Sequence, residues 1–400
     1  MNDKDFNIKY GSLFDQQFKL AKDYVQNPSM LLEEVGKKLA QRDASRLYMP
    51  QADEYNQKLT YYRGFLRFPE RLKNYILFQS EPKKIDQEYK PYIMDIEPNS
   101  RCNFRCTMCQ VSEWDHGSRA DDMSLKDFQD FIDTQPQLME VKLHGMGEPL
   151  MHRRYIDMVK YLASLDIWVR TTINGSLLHV RDNYKKIIDS GIGEIQTSFD
   201  GACKETFEKI RRNSNFETVV KNLTMLNEYA NTKDRYYTRM WVLLQKANRH
   251  ELFDFVTLAK KMKFKRMSYS ITLNDWGQDT WAKKNMENET DGLTEEEKNK
   301  LLELSKKEDI DITVWYQSNK YSSKRLDTTC PWPFERPYIS SDLRIVPCSM
   351  IGNPEVSDFG SAKELNAIWN SSIYREFREA HIQGKIPNIC KLCYKKEEIK

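Results

Sequence analysis

Eight cysteines stand in a chain of 400 residues, and seven of them fall into two sets whose spacing suits metal binding. The first set, Cys102, Cys106 and Cys109, reads C-x3-C-x2-C within "RCNFRCTMCQ" (101–110). Thiolates are the standard ligands of iron–sulfur clusters, and a [4Fe–4S] cube takes four of them. Three ligands therefore leave one iron open to another molecule. Zinc with a remote fourth ligand is the alternative, although structural zinc sites usually pair their cysteines as two C-x2-C units. The second set, Cys330, Cys348, Cys390 and Cys393, ends in a C-x2-C pair and closes at four. That number suits a fully ligated cluster or a structural zinc. Cys203 belongs to neither set, and a small side chain packed at a helix start is its simplest explanation.

These residues need a frame to hold them. Short apolar strands are expected at "YIMDIE" (92–97), "MEVKLHG" (139–145), "IWVRTTI" (167–173), "GEIQTSF" (193–199), "TRMWVLL" (238–244) and "RMSYSIT" (266–272). Helical stretches separate them, one over Arg153–Leu165, others opened by capping signatures at Ser214–Glu217 and Asn248–Glu251. Six strand–helix units imply parallel pairing with the helices outside. The expected fold is α/β, a partial (β/α)6 TIM-like barrel over residues 89–315. Ligands of such barrels sit at the C-terminal ends of the strands, and the first cysteine set directly follows the first strand. Residues 1–88 read as a helical extension, with Phe14, Phe18, Ala21 and Val25 near a 3.6-residue period behind Ser12 as N-cap. Residues 316–400 read as a small metal-organised domain of short strands with a helix near 361–382.

The C-x3-C-x2-C loop after a first strand resembles the signature of the radical S-adenosylmethionine (SAM) superfamily. The resemblance implies that SAM occupies the open iron and that an electron from the cluster cleaves it to a 5′-deoxyadenosyl radical. "GMGEP" (145–149) resembles the family's turn after the second strand and makes Gly145, Gly147, Glu148 and Pro149 candidate SAM contacts. "TINGSLL" (172–178) resembles the third-strand turn through Asn174, and "TSFDG" (197–201) the fourth-strand segment through Ser198 and Asp200. On the residues alone, Asn174 and Asp200 are equally ordinary turn formers before glycine. Met108 stands where the family covers the adenine. "CPWPFERPYISSDLRIVPC" and "CKLC" resemble the C-terminal SPASM/twitch extension, which implies a second, auxiliary [4Fe–4S] cluster on the four later cysteines. Within such a family Cys203 becomes a candidate hydrogen-atom donor, as in epimerases. His144, Arg239, Gln245, Tyr269, Asn274, Trp276, Glu335 and Arg336 are the weaker candidates for substrate contact.

Composition narrows the partners. The 62 basic and 59 acidic side chains nearly balance at a net +3, which gives no reason to expect nucleic acid. No run approaches the roughly 20 apolar residues of a membrane span, and the N-terminus lacks a signal-peptide pattern. A cytoplasmic enzyme is expected, fed by an external donor such as flavodoxin or ferredoxin. Dehydrogenation of a hydroxyl-bearing carbon of a sugar or cyclitol is the favoured reaction, with a peptide-modifying maturase, an epimerase or a zinc-bound interaction module as alternatives.

Overall fold

The computed structural model describes every residue except 115–118, 120, 234, 317–319 and 397–400. The chain opens with four helices, α1 (Asp3–Gln26), α2 (Pro28–Ala40), α3 (Glu54–Arg67) and α4 (Pro69–Ser80). The first begins well before Ser12. Asn2 caps it by accepting from the Asp5 N–H, and Asp3 and Asp5 in the first turn suit the positive end of the helix dipole. Proline opens α2 and α4, where its missing N–H costs no helical hydrogen bond. Phe6, Tyr10, Phe65, Leu72 and Ile76 pack with Tyr92, Ile93 and Met139, so the helices are fastened to the body behind them.

The strands are β1 (Ile93–Ile96), β2 (Arg105–Cys106), β3 (Glu140–Leu143), β4 (Trp168–Ile173), β5 (Glu194–Ser198), β6 (Arg211–Arg212), β7 (Thr238–Leu243), β8 (Arg266–Ser270), β9 (Asp311–Trp315), β10 (Tyr338–Ile339) and β11 (Ile345–Val346). Nine of them form one sheet in the order β11-β10-β1-β3-β4-β5-β7-β8-β9, parallel throughout except between β10 and β11. β2 and β6 form a separate antiparallel pair. All six expected strands are present, and β9 adds a seventh beyond them. Helices α5 (Leu125–Asp133), α6 (Tyr155–Ser164), α7 (Asn183–Ile188), α8 (Lys204–Ile210), α9 (Phe216–Ala230) and α10 (Asp254–Lys261) lie between the strands. α9 is capped by Asn215, one residue past the expected Ser214. The segment after 316 is joined to the barrel, because β10 pairs with β1.

Alternation along the strands separates two faces. Met94 and Ile96, Val141 and Leu143, Val169 and Ile173, and Met240 and Val242 point to the helices and build the main core. The other positions carry Asp95, Lys142, Arg170, Gln196, Trp241 and Ser268 on the inner face, where register places Asp95, Lys142 and Arg170 side by side and Trp241 beside Ser268. At the strand starts, Glu194 meets Arg239 at 3.3 Å and Arg266 at 3.7 Å, and Arg170 pairs with Glu140. The N-terminal extension closes this end. Gln57 and Tyr61 of α3 donate to Glu140 at 2.7 and 2.6 Å, and Arg239 donates to the Gln51 carbonyl at 2.6 Å. Among the described residues no helix is long and apolar enough to cross a membrane.

Candidate active site

The first cysteine loop is fixed from both sides. Cys106 pairs with Arg211 across the β2–β6 ribbon, and the Thr107 N–H donates to the Ile210 carbonyl at 2.9 Å. On the other side lies the Gly145–Pro149 turn. The Glu148 N–H donates to the Arg101 carbonyl at 2.8 Å, and the Asn99 amide donates back to the Glu148 carbonyl at 3.0 Å. Here glycine is a steric requirement: a Cβ on Gly147 would lie 2.3 Å from the Asn99 carbonyl oxygen and 2.6 Å from that of Arg101. Gly147→Ala is therefore expected to push turn and loop apart and to lower 5′-deoxyadenosine formation about 100-fold. Iron bound by the second set would be unchanged in a metal analysis.

The three thiols lie within electrostatic reach of one another. Burial raises the pKa of all three, Cys109 to about 12, and proximity to Cys106 raises Cys102 and Cys109 further. Thiolates crowded in this way need a nearby cation. Arg211 supplies part of it, with Nη1 3.8 Å from Cys106 Sγ, and metal iron would supply the rest. The donor set thus fits a cluster with three protein ligands.

Several of the expected SAM contacts pack against this loop, and each has defined partners. The Glu148 carboxylate is buried and pushed up to about 7 by that burial, against the Asn174 N–H at 2.7 Å and the Leu150 N–H at 3.3 Å. A desolvated carboxylate of this kind gains from an ammonium partner. Asn174 also donates to Asn103 at 2.9 Å, tying the third turn to the cysteine loop. Pro149 opens a short 3-10 turn, Pro149–Met151. Met108 is buried against Ile210 and Leu273, and its carbonyl accepts from Trp276 Nε1 at 3.1 Å. Ser198 ends β5 beside Trp241 on the inner face. Asp200 is completely buried, holding Arg211 at 2.6 Å and the Leu243 N–H at 2.8 Å, so its contacts are with the protein. Cys203 is exposed, with Sγ 2.9 Å from Glu251 Oε1 and 3.4 Å from Thr206, and its contacts do not reach the cysteine loop.

The four later cysteines line one pocket with Trp332, Pro347 and Ile351. The Tyr394 hydroxyl accepts from the Cys330 N–H at 2.9 Å, and Cys348 Sγ accepts from Met350 at 3.4 Å. Burial raises all three thiols for which a shift is resolved, Cys330 to about 12, and neighbouring thiols raise them further. Among the described residues no three His, Cys, Asp or Glu side chains gather as a ready site for a single ion. Four thiols are the number that a fully ligated [4Fe–4S] cluster takes.

Of the weaker candidates, Arg239 lies at the closed end of the barrel and Tyr269 points into the core, its hydroxyl donating to the Leu252 carbonyl at 2.6 Å. His144 pairs with Asp95 at 3.4 Å on the inner face, and burial pushes it down to about 4. Sequence reasoning missed Gln110. Its amide donates to the Ile351 carbonyl at 2.9 Å and links the first cysteine loop to the segment that carries Cys348. It also missed Arg211, which "KIRR" gave no means of singling out.

Two family models match this chain, the radical SAM superfamily over residues 96–259 and an iron–sulfur cluster-binding SPASM domain over 330–394. The tungsten-containing aldehyde ferredoxin oxidoreductase cofactor-modifying protein of Pyrococcus furiosus is 32% identical over 26% of this chain and 30% of its own. A GTP 3′,8-cyclase of Clostridium perfringens is 26% identical over 42% of this chain and 51% of its own. The chain thus spans from about a third to half the length of these relatives. Streptococcus suis SuiB bound to its precursor peptide SuiA shares the fold, with a TM-score of 0.58 over 91% of this chain and 83% of that one, at 12% identity. With a three-cysteine loop after the first strand of a partial barrel and four further cysteines around one pocket, the chain belongs to the radical SAM superfamily and carries a C-terminal SPASM domain.

Proposed function

We propose that this enzyme dehydrogenates a hydroxyl-bearing carbon of a small polar ring, a sugar or a cyclitol. The observation that carries this reading is the inner face of the sheet. Asp95 and Lys142 stand side by side on it, and Thr172 beside Gln196, giving donors and acceptors of the kind that a substrate rich in hydroxyls requires. Cys102, Cys106 and Cys109 would hold the first cluster, with SAM against the Glu148 turn, and Cys330, Cys348, Cys390 and Cys393 the second. When bound, these groups supply a hydrogen-abstracting radical and an electron acceptor. Arg336 lies within electrostatic reach of Asp95 and of Lys320, which itself senses Cys330 and Cys393. The protein's part is to orient the ring and exclude water.

Two further observations favour a small ring over the alternatives. The N-terminal helices cover the strand starts, away from the cysteine loop, and add no strand for an extended peptide to pair with. Cys203 is exposed and bonds to Glu251, and its contacts do not reach the cysteine loop, which supports dehydrogenation over epimerisation. The test is turnover of C-deuterated amino sugars and cyclitols by the anaerobically reconstituted enzyme. A product three daltons lighter than the C-deuterated substrate, with deuterium in 5′-deoxyadenosine, is expected. An isomer of unchanged mass that takes deuterium from D2O would overturn dehydrogenation in favour of epimerisation, and deuterium transfer from peptides alone would favour a maturase.

A further inference from the structure

We propose that the Lys142 amine accepts the hydroxyl proton of the substrate while Asp95 beside it receives a hydrogen bond from a second, adjacent hydroxyl. This rests on the dehydrogenase reading. Lys142 sits in β3 between Val141 and Leu143, which join the core, so it faces inward. Register places it in one row with Tyr338, Asp95, Arg170 and Glu194, one position below the residue that leads into the Gly145 turn.

Around it every charge has a protein partner. Asp95 Oδ2 meets His144, Arg170 meets Glu140, and Glu194 meets Arg239 and Arg266. The Lys142 amine makes no hydrogen bond or ion pair with any described residue. Asp95 Oδ1, on the paired residue of the next strand, is buried and also lacks a hydrogen bond. Native interiors rarely leave a buried atom such as Asp95 Oδ1 without a partner, because an unsatisfied group costs about 1–3 kcal/mol, and the Lys142 side chain beside it is only half-buried. Neighbouring strands stand about 4.8 Å apart, a spacing at which adjacent hydroxyls on one ring can meet both groups.

The charges facing the amine also suit the role. Burial lowers its pKa most. Asp95 of β1 and Glu194 of β5 raise it, while Arg170 of β4 and Arg336, just before β10, lower it. On its own strand, Glu140 is held by Arg170, and His144 is neutral above a pKa of about 4. The result is an amine at about 8, whose neutral form grows as pH rises through that value. With SAM and both clusters bound, the substrate's C–H hydrogen would leave as an atom to the 5′-deoxyadenosyl radical they supply. The O–H proton would pass to Lys142, the remaining electron to the second cluster, and the C–O bond would become double.

Two measurements on the full-length, reconstituted enzyme test this. Trace acetylation with acetic anhydride from pH 6 to 11, read by mass spectrometry, is expected to modify Lys142 with a midpoint near 8. A midpoint at 10 or above, or no labelling at any pH, would overturn the proposal. With C-deuterated glucosamine and myo-inositol as probes, Lys142→Met should lower the carbonyl product about 100-fold and lower it more than deuterium transfer into 5′-deoxyadenosine, whereas an equal fall in both would overturn the base role. Lys142→Arg, which cannot release its proton, should not restore the product, and restoration would reduce Lys142 to a fixed charge. Absence of deuterium transfer in the wild type would count against the dehydrogenase reading alone, with the acetylation midpoint still deciding whether Lys142 is a reachable base.

Discussion

Replacing Cys106 with alanine is expected to leave a folded chain with about four irons in place of about eight and no measurable 5′-deoxyadenosine. The fold survives because the loop is held by backbone contacts that do not involve the thiol. These are the β2–β6 pair, the bond from Thr107 to Ile210, and the apposition of Gly147 on Asn99. Removing one sulfur from a half-buried side chain leaves a small void, which such a barrel tolerates. The two remaining thiolates cannot hold a cube whose fourth corner must stay open. Cys102→Ala and Cys109→Ala should behave alike. Iron and sulfide analysis, the reduced-cluster EPR signal with SAM, and chromatography of 5′-deoxyadenosine check this. A variant that cleaves SAM at the parental rate would remove these cysteines from the chemistry.

The cysteines and glycine turns were legible in sequence because their chemistry depends on spacing within a single loop. Six strands were legible for a similar reason, since each alternates within a few residues. What was lost depends on contacts between distant segments. "DITVW" (311–315) follows a charged helix, and its strand character comes from pairing with β8, so nothing local announces it. Asp200 stands in a turn motif that resembles a ligand site, yet its carboxylate turns to Arg211, a partner eleven positions on that no motif links to it. Arg239 shares an apolar strand with residues near the strand end, but its place among Glu194, Ser268 and Thr313 is set by register with β5, β8 and β9. Lys142 is the reverse case. Its inward direction follows from plain alternation, but its lack of a partner emerges only when every neighbouring charge has been matched.

The second set of cysteines should separate from the first when Cys390 is changed to alanine. About four irons should again remain, but now SAM cleavage without product persists and formation of the carbonyl is lost. The two sites adjoin, and that makes the outcome informative. Gln110 bonds to the Ile351 carbonyl, and Asn274 donates to the Met350 carbonyl at 2.7 Å, so the segment that bears Cys348 touches the elements around the first loop. Those are single hydrogen bonds to backbone carbonyls, worth about 1 kcal/mol each. The first loop, by contrast, is held by Arg211, the Glu148 turn and the β2–β6 ribbon, all within the barrel. Loss of the second cluster should therefore leave the first intact and remove only the electron's destination. Deuterium should still reach 5′-deoxyadenosine from a C-deuterated ring, since hydrogen abstraction precedes electron removal. Two results would count against the acceptor role: carbonyl formation at the parental rate, or loss of SAM cleavage together with product. The first would make the four-cysteine site dispensable to the oxidation, and the second would make it a structural support for the first.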